Sequence, residues 1–394
     1  MNLHLLVAGA ALALLASAGA QSVVEVRDFG AKGDGMTDDT AAVQHAIDAV
    51  KPGGVLQFAP GTYLITSVKL APGVTYQGED GAVVKRPPKQ GKWTRTFYGY
   101  YSGEVDSAPL VIRNLTFDGN STEQDPYTKY ELEQAHLIFL VGDPKKPGRL
   151  NARVENCRFR NGVADGVSAY TNANVVVRNC EATDVFRGGF VLTGGNSSAD
   201  VDGLITGGER HDTGIDIEID GKGYGDTLKV DVKLKNLELR KGDFDVGVSG
   251  GSVVTGEHIK AGAPFYLYSH ESTMRFKHCS FAIGGCDTYS NRIAVPFDVR
   301  FEDCEFTITR ELPEHPPEFF AVADVFWNFS WLPTLKHQRL TYERCRFQVD
   351  QSITGADKAF VIHERREPAA NGNVASLIDP QIGPGFTTQH FRVP

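Results

Sequence analysis

Seven short segments of this chain share one template, and that repetition limits the fold more than any other feature of the sequence. RVENCRF (153–159), VVRNCEA (176–182), RFKHCSF (275–281), RFEDCEF (300–306) and TYERCRF (341–347) each run apolar, polar, polar, Cys, polar, apolar. LVIRNLTF (110–117) and VKLKNLEL (232–239) fit the same pattern with Leu in place of Cys. Cys157 and Cys180 are 23 residues apart, and Cys279 and Cys304 are 25 apart. A period in the low twenties, with alternating strands and no helical periodicity between them, predicts an all-β solenoid: a right-handed parallel β-helix of about ten coils. No coil can bury its own inward face, so neighbours must stack at ~4.8 Å to make a continuous core. Five of the six cysteines share one place in the template, which predicts an interior column of small, mostly free thiols. The alternative is a Cys157–Cys180 disulfide, which an oxidising compartment would permit. Cys286 stands outside the column.

The two ends of the chain depart from the repeat. Residues 1–20 combine an apolar run, Leu5 to Ala16, that is too short to span a bilayer with the small-residue pattern Ala18-Gly19-Ala20. They predict a secretory signal and a mature chain beginning at Gln21, secreted to an extracellular or periplasmic space. No later stretch is long and apolar enough to cross a membrane. Residues 21–394 are expected to form a single β-helix domain, with 24–66 as its N-terminal cap and first coil. The net charge of −9 argues against a nucleic-acid partner, which wants a basic face. A helix is expected from Asp38 to about Val50, with Thr37 as N-cap and Asp38 and Asp39 in the first turn. Its apolar face of Ala42, Val43, Ala46, Ile47 and Val50 would cover the open end of the solenoid.

VRDFGAKGDGMTDDTAAVQHAID followed by PGGVLQFAPGTYLI resembles the N-terminal signature of the pectate-lyase-like superfamily. That group includes polygalacturonases, rhamnogalacturonases, polysaccharide lyases, epimerases and tailspikes. The resemblance implies the β-helix and a polysaccharide partner, but not a particular reaction. The polygalacturonase motifs, the pectate-lyase arginine motif and the Tyr-Gly-Phe-Asp-Pro-His signature of mannuronan epimerases are all absent, so pectin does not follow as the substrate.

A β-helix binds ligands along an outward sheet, so the strands after each repeat turn were aligned: DGVSAY (165–170), GGFVLT (188–193), TGIDIEID (213–220), GDFDVGVS (242–249) and GAPFYLYSH (262–270). Val167, Phe190, Ile215, Phe244 and Phe265, then Ala169, Leu192, Ile217, Val246 and Leu267, form uniformly apolar inward columns, which fixes the register. Asp216 and Asp245 then face outward on adjacent coils, with Glu218 two residues along the strand. Like charges this close raise at least one carboxyl pKa, as acid catalysis of glycosidic cleavage requires. Tyr170 and Tyr268 flank the cluster as sugar platforms, and Arg187 and His211 reach in from adjoining turns as substrate-binding residues. The segment KRPPKQGKWTRTFYGYY (85–101) interleaves cations with aromatics and reads as a loop, from which Trp93 and Arg95 would contact an acidic glycan.

The favoured expectation is a secreted hydrolase of an acidic polysaccharide without a cofactor, because no lysine or arginine is evident beside the carboxylates. Asp216, Glu218, Asp245, Tyr266 and His270 are its candidate catalytic residues. The alternative is a lyase or uronate epimerase with Tyr266 or His270 as base and calcium on Asp216 and Asp245. A non-catalytic glycan-binding protein is the third possibility. The sequence does not fix the oligomeric state.

Overall fold

The computed structural model describes residues 21–124, 132–211, 213–218, 229–262, 265–283, 292–309, 339–350, 360–364, 374–384 and 386–390. Residues 1–20, where the secretory signal is expected, and Cys286 lie outside the described residues.

The strands form a parallel β-helix. A typical coil contributes three of them, as in Val167–Ala169, Ala173–Arg178 and Glu181–Thr183, followed one coil later by Gly188–Thr193, Ser197–Asp202 and Ile205–Gly207. Each strand pairs in parallel with its counterparts on the coils above and below. A twenty-stranded sheet wraps two faces of the solenoid and a thirteen-stranded sheet forms the third. Phe360–Glu364 and Phe386–His390 make a separate two-stranded parallel sheet.

The repeated template is the corner between the second and third strands. The residue before each Cys or Leu adopts left-handed backbone: Asn114, Asn156, Asn179, Asn236, His278, Asp303 and Arg344 all have φ between 51° and 56°. Asn and Asp tolerate this region best, because their short polar side chains can bond locally. The asparagines also bond along the stack, Asn156 Nδ2 donating to Asn114 Oδ1 at 3.2 Å and Asn179 Nδ2 to Asn156 Oδ1 at 3.4 Å. The turn drives the next side chain inward. Leu115, Cys157, Cys180, Leu237, Cys279, Cys304 and Cys345 are all buried, and the five cysteines are free thiols.

Aromatic rings extend the same order through the core. Phe276, Phe301 and Tyr342 stack at centroid spacings of 5.3 and 5.2 Å, and Phe281, Phe306 and Phe347 at 5.3 and 5.3 Å. Such pairs stabilise beyond their buried area by about 0.5–1.5 kcal/mol each.

The capping helix, α1, spans Thr40–Ala49 and starts two residues later than expected. Asp34–Asp38 is instead extended and pairs with Gly61–Leu64. Asp39 is buried, and its carboxylate accepts the backbone N–H groups of Lys32 and Gly33 at 2.6 and 3.0 Å, pinning the glycine turn. Asp38 Oδ1 accepts the Thr40 N–H at 2.9 Å at the helix start, while the Thr37 hydroxyl donates to Asp34. Val43, Ala46, Ile47 and Val50 pack against the first coils. A second correction concerns 85–101. Its last five residues, Phe97–Tyr101, are a strand with Phe97 in the core, so only the part up to Thr96 is loop.

Candidate active site

The site lies on the sheet built from Phe97–Tyr101, Ile138–Gly142, Val167–Ala169, Gly188–Thr193, Gly214–Glu218, Phe244–Val248 and the start of Phe265–Lys277. Val167, Phe190, Ile215 and Phe244 stack in register and are buried, as are Ala169, Leu192, Ile217, Val246 and Leu267. Alternation then sends Tyr98, Phe139, Ser168, Val191, Asp216 and Asp245 to the outer face as one column. Ser168 and Val191 face outward yet are fully buried, so the middle of this face is a covered floor rather than an open surface.

The turn that leads into these strands carries a different residue on each coil. Arg95, His136 and Asp165 each sit two residues before an inward anchor, and Arg187 sits three before Phe190. The Thr96 N–H donates to the His136 carbonyl and the Leu137 N–H to the Asp165 carbonyl, which stacks the turns. At Gly188 the ladder slips in register. A Cβ there would come within 2.6 Å of Val191 Cγ2, so glycine permits the irregularity that carries Arg187.

These residues converge. His136 Nδ1 is 2.9 Å from Asp165 Oδ2, and Arg187 Nε is 3.6 Å from Asp165 Oδ1, with His136 and Asp165 0% and 1% exposed. The His136–Asp165 approach is close but not aligned as a hydrogen bond. Both imidazole nitrogens, both Asp165 oxygens and Ser168 Oγ are buried without a hydrogen-bond partner in the protein. Buried polar groups in this state are costly unless a ligand or water satisfies them. The His136 ring stacks on Phe139 at 5.3 Å, Phe139 stacks on Tyr98 at 5.8 Å, and Tyr170 leans on Phe139 at 4.9 Å. The Arg95 guanidinium lies 4.4 Å from the Phe139 ring centre.

Asp216 and Asp245 are direct register partners, as expected. Burial pushes the Asp216 carboxyl well above its usual range, Glu218, Asp245 and Asp165 push it further, and Arg187 opposes them. Burial, Asp243 and Glu218 raise Asp245 to about 7. Burial alone would lower the Arg187 guanidinium, but Asp165, then Asp216, Tyr170 and Glu218, hold it more firmly protonated.

The absence of a cation beside the carboxylates is therefore corrected: Arg187 stands between Asp165 and Asp216. Tyr170 and Arg95 join the same cluster, and Glu218 lies exposed at its rim. The His211 ring packs edge-on against Phe186 at 5.4 Å. Trp93 is 65% exposed on the loop before Phe97. The backbone of Tyr266 pairs with Asp245 and that of Tyr268 with Gly247, whereas the side chains of Tyr266, Tyr268 and His270 lie outside the described residues. His136, Asp165 and Phe139 were not anticipated. Aligning AHLIFL (135–140) with ADGVSA (164–169) would have exposed them, because the two segments superpose residue for residue. Among the described residues no three His, Cys, Asp or Glu side chains gather as a metal-ligand set.

Comparison with known proteins agrees with this architecture. Residues 23–203 match the family described as rhamnogalacturonase A/epimerase, pectate lyase-like. Alginate lyase 7 of Azotobacter vinelandii is 30% identical over 187 residues, which is 42% of this chain and 20% of that protein. The chain thus spans about a fifth of that relative's length. Among solved structures, the A-module of a mannuronan C-5 epimerase from Azotobacter vinelandii superposes with a TM-score of 0.54 at 17% identity, covering 93% of this chain and 97% of the module. A surface adhesin of Streptococcus pneumoniae superposes with a TM-score of 0.53 at 13% identity, covering 94% and 98%. An enzyme and an adhesin on one scaffold mean that these likenesses carry the fold alone. No helix among the described residues is long and apolar enough to cross a membrane. The chain thus folds as a right-handed parallel β-helix, and its residues 23–203 match the pectate lyase-like family.

Proposed function

We propose that this protein is a secreted lyase or C5-epimerase acting on a uronate-containing polysaccharide. The observation that carries the reading is Arg187, held beside buried Asp165 and within the electrostatic reach of Asp216 and Tyr170. An arginine placed so can pair with a uronate carboxylate through two parallel hydrogen bonds. Pairing withdraws charge from the carboxylate and stabilises the anion that forms when the C5 proton leaves. Tyr170, which interacts electrostatically with both Arg187 and Arg95, is the base in this reading. The electrons of the C5–H bond form the C4–C5 double bond as the C4–O bond breaks. Asp216, kept protonated by its surroundings, hands its proton to the departing oxygen. Return of a proton to the other face of C5 would give epimerisation instead. The lyase likeness over 187 residues supports the same chemistry.

Hydrolysis remains a second reading because Asp216 and Asp245 are both raised, which suits a general acid. Incubation with alginate and polygalacturonate separates the readings. Elimination yields unsaturated-uronate absorbance together with new reducing ends. Reducing ends without that absorbance would overturn elimination in favour of hydrolysis. A changed uronate composition without cleavage would select epimerisation, and binding without any of these would leave a glycan-binding protein.

A further inference from the structure

We infer that the loop at 86–96 is a second, outer sugar-binding subsite, in which Trp93 and Lys92 hold an acidic sugar unit outward of the reacting one, with Arg95 linking that subsite to the inner cluster. The inference rests on the function proposed above and adds a chain-length requirement to it.

Trp93 is 65% exposed, against buried or half-buried surroundings for the other aromatic rings of the site. Its ring is open to solvent except where Lys92 and Arg95 approach it. The loop that carries it is nevertheless rigid. Arg86 is 1% exposed beneath it and bonds to Gln124 Oε1 at 3.2 Å, to the Gly91 carbonyl at 2.9 Å and to the Thr94 carbonyl. Gln124 in turn accepts the Gln90 N–H at 2.9 Å and donates to the Pro87 carbonyl at 2.9 Å. A buried guanidinium therefore staples both ends of the Trp93 turn, and its ring is presented in a fixed place.

Two cations flank that ring, and Lys92 Nζ is also 2.9 Å from Glu133 Oε1. Lys92 Nζ and the Arg95 guanidinium lie 5.6 and 5.5 Å from the Trp93 ring centre, in a chain of net charge −9. A ring face beside two cations suits a uronate, with stacking on its apolar face and pairing to its carboxylate. The same Arg95 reaches 4.4 Å from Phe139, on which His136 stacks and against which Tyr170 leans, so the outer patch runs without a break into the inner cluster. Arg95 precedes the first strand of the site and Asp216 lies four coils further on. At the ~4.8 Å separation of neighbouring strands that is roughly 19 Å, a reach only an oligosaccharide can bridge.

The test uses the full-length secreted protein and a size-fractionated ladder of uronate oligosaccharides from alginate and polygalacturonate. Affinity is measured by calorimetry for wild type and Trp93→Ala, with unsaturated product followed in parallel. In wild type, affinity should climb with oligomer length and then level off. Trp93→Ala should weaken the long oligomers about fivefold to tenfold and leave the shortest unchanged, and Trp93→Phe should restore part of the loss. Equal affinity of Trp93→Ala and wild type for every length would overturn the subsite, as would failure of wild type to bind uronate oligomers at all. Length-dependent binding without unsaturated product would sink the elimination chemistry and leave the subsite standing.

Discussion

Two corners of the same coils follow opposite rules. The corner between the second and third strands repeats itself, with left-handed Asn, His, Asp or Arg followed by an inward Cys, Leu or Ile. The corner entering the first strand changes on every coil: Arg95, His136, Asp165, Arg187. In a solenoid each rung meets the same packing problem, so a structural answer recurs. Chemistry needs unlike groups at one point, so a functional row cannot recur. Repetition marks what holds the fold, and its interruption marks what the fold is for.

That contrast can be broken at several strengths. Asp216→Asn should lower turnover by a factor of hundreds or more, as loss of a general acid does, with initial rates of unsaturated-uronate formation as the readout. Its melting temperature should hardly fall, because a neutral amide replaces a carboxyl whose surroundings already favour its neutral form. Phe301→Ala strikes the repeating interior, where that ring stacks between Phe276 and Tyr342. It should cost about 3–5 kcal/mol in denaturant unfolding, and activity should fall only as far as the folded fraction falls.

The pH response sharpens the comparison further. Asp245 is raised from the ordinary aspartate value to about 7 in the folded protein. Between those values the native state binds the proton that the unfolded chain has lost. The associated stability is therefore fully present in acid and disappears as pH rises towards neutrality. Melting temperature should decline over that window, and Asp245→Asn should flatten the decline. A decline that survives the substitution would assign it to other groups. At the smallest scale, alkylating reagents should leave the five described cysteines unmodified in the native protein, since all are buried. Rapid labelling of several would contradict the inward column.

Much of the scaffold was legible because it repeats. The Cys template located the coils, and period-two alternation placed Ile215 and Ile217 inward and Asp216 outward without an alignment of relatives. Helix α1 was found but its start misplaced, because Asp38 and Asp39 look alike in sequence. Only the fold reveals that Asp39 turns back to hold Lys32 and Gly33. His136 and Asp165 escaped for a different reason. They lie just before the alternating part of their strands, AHLIFL was not among the segments set side by side, and their meaning depends on the 2.9 Å approach between neighbouring coils. Arg187 was recognised as within reach, yet its position between two carboxylates follows from the irregularity at Gly188, which sequence spacing does not report.

The most direct test sets one residue from each kind of position side by side. Tyr170→Phe removes a single hydroxyl from the site and keeps the ring against Phe139. Asn179→Ala removes a ladder side chain from a corner with φ of 51° and should cost about 1–2 kcal/mol. Rates on a uronate polymer and melting temperatures are measured for both. The account predicts a crossed result: Tyr170→Phe melts like wild type but loses turnover at least a hundredfold, and Asn179→Ala melts lower but turns over normally while folded. Equal loss of activity in both variants, or full activity in Tyr170→Phe, would contradict it.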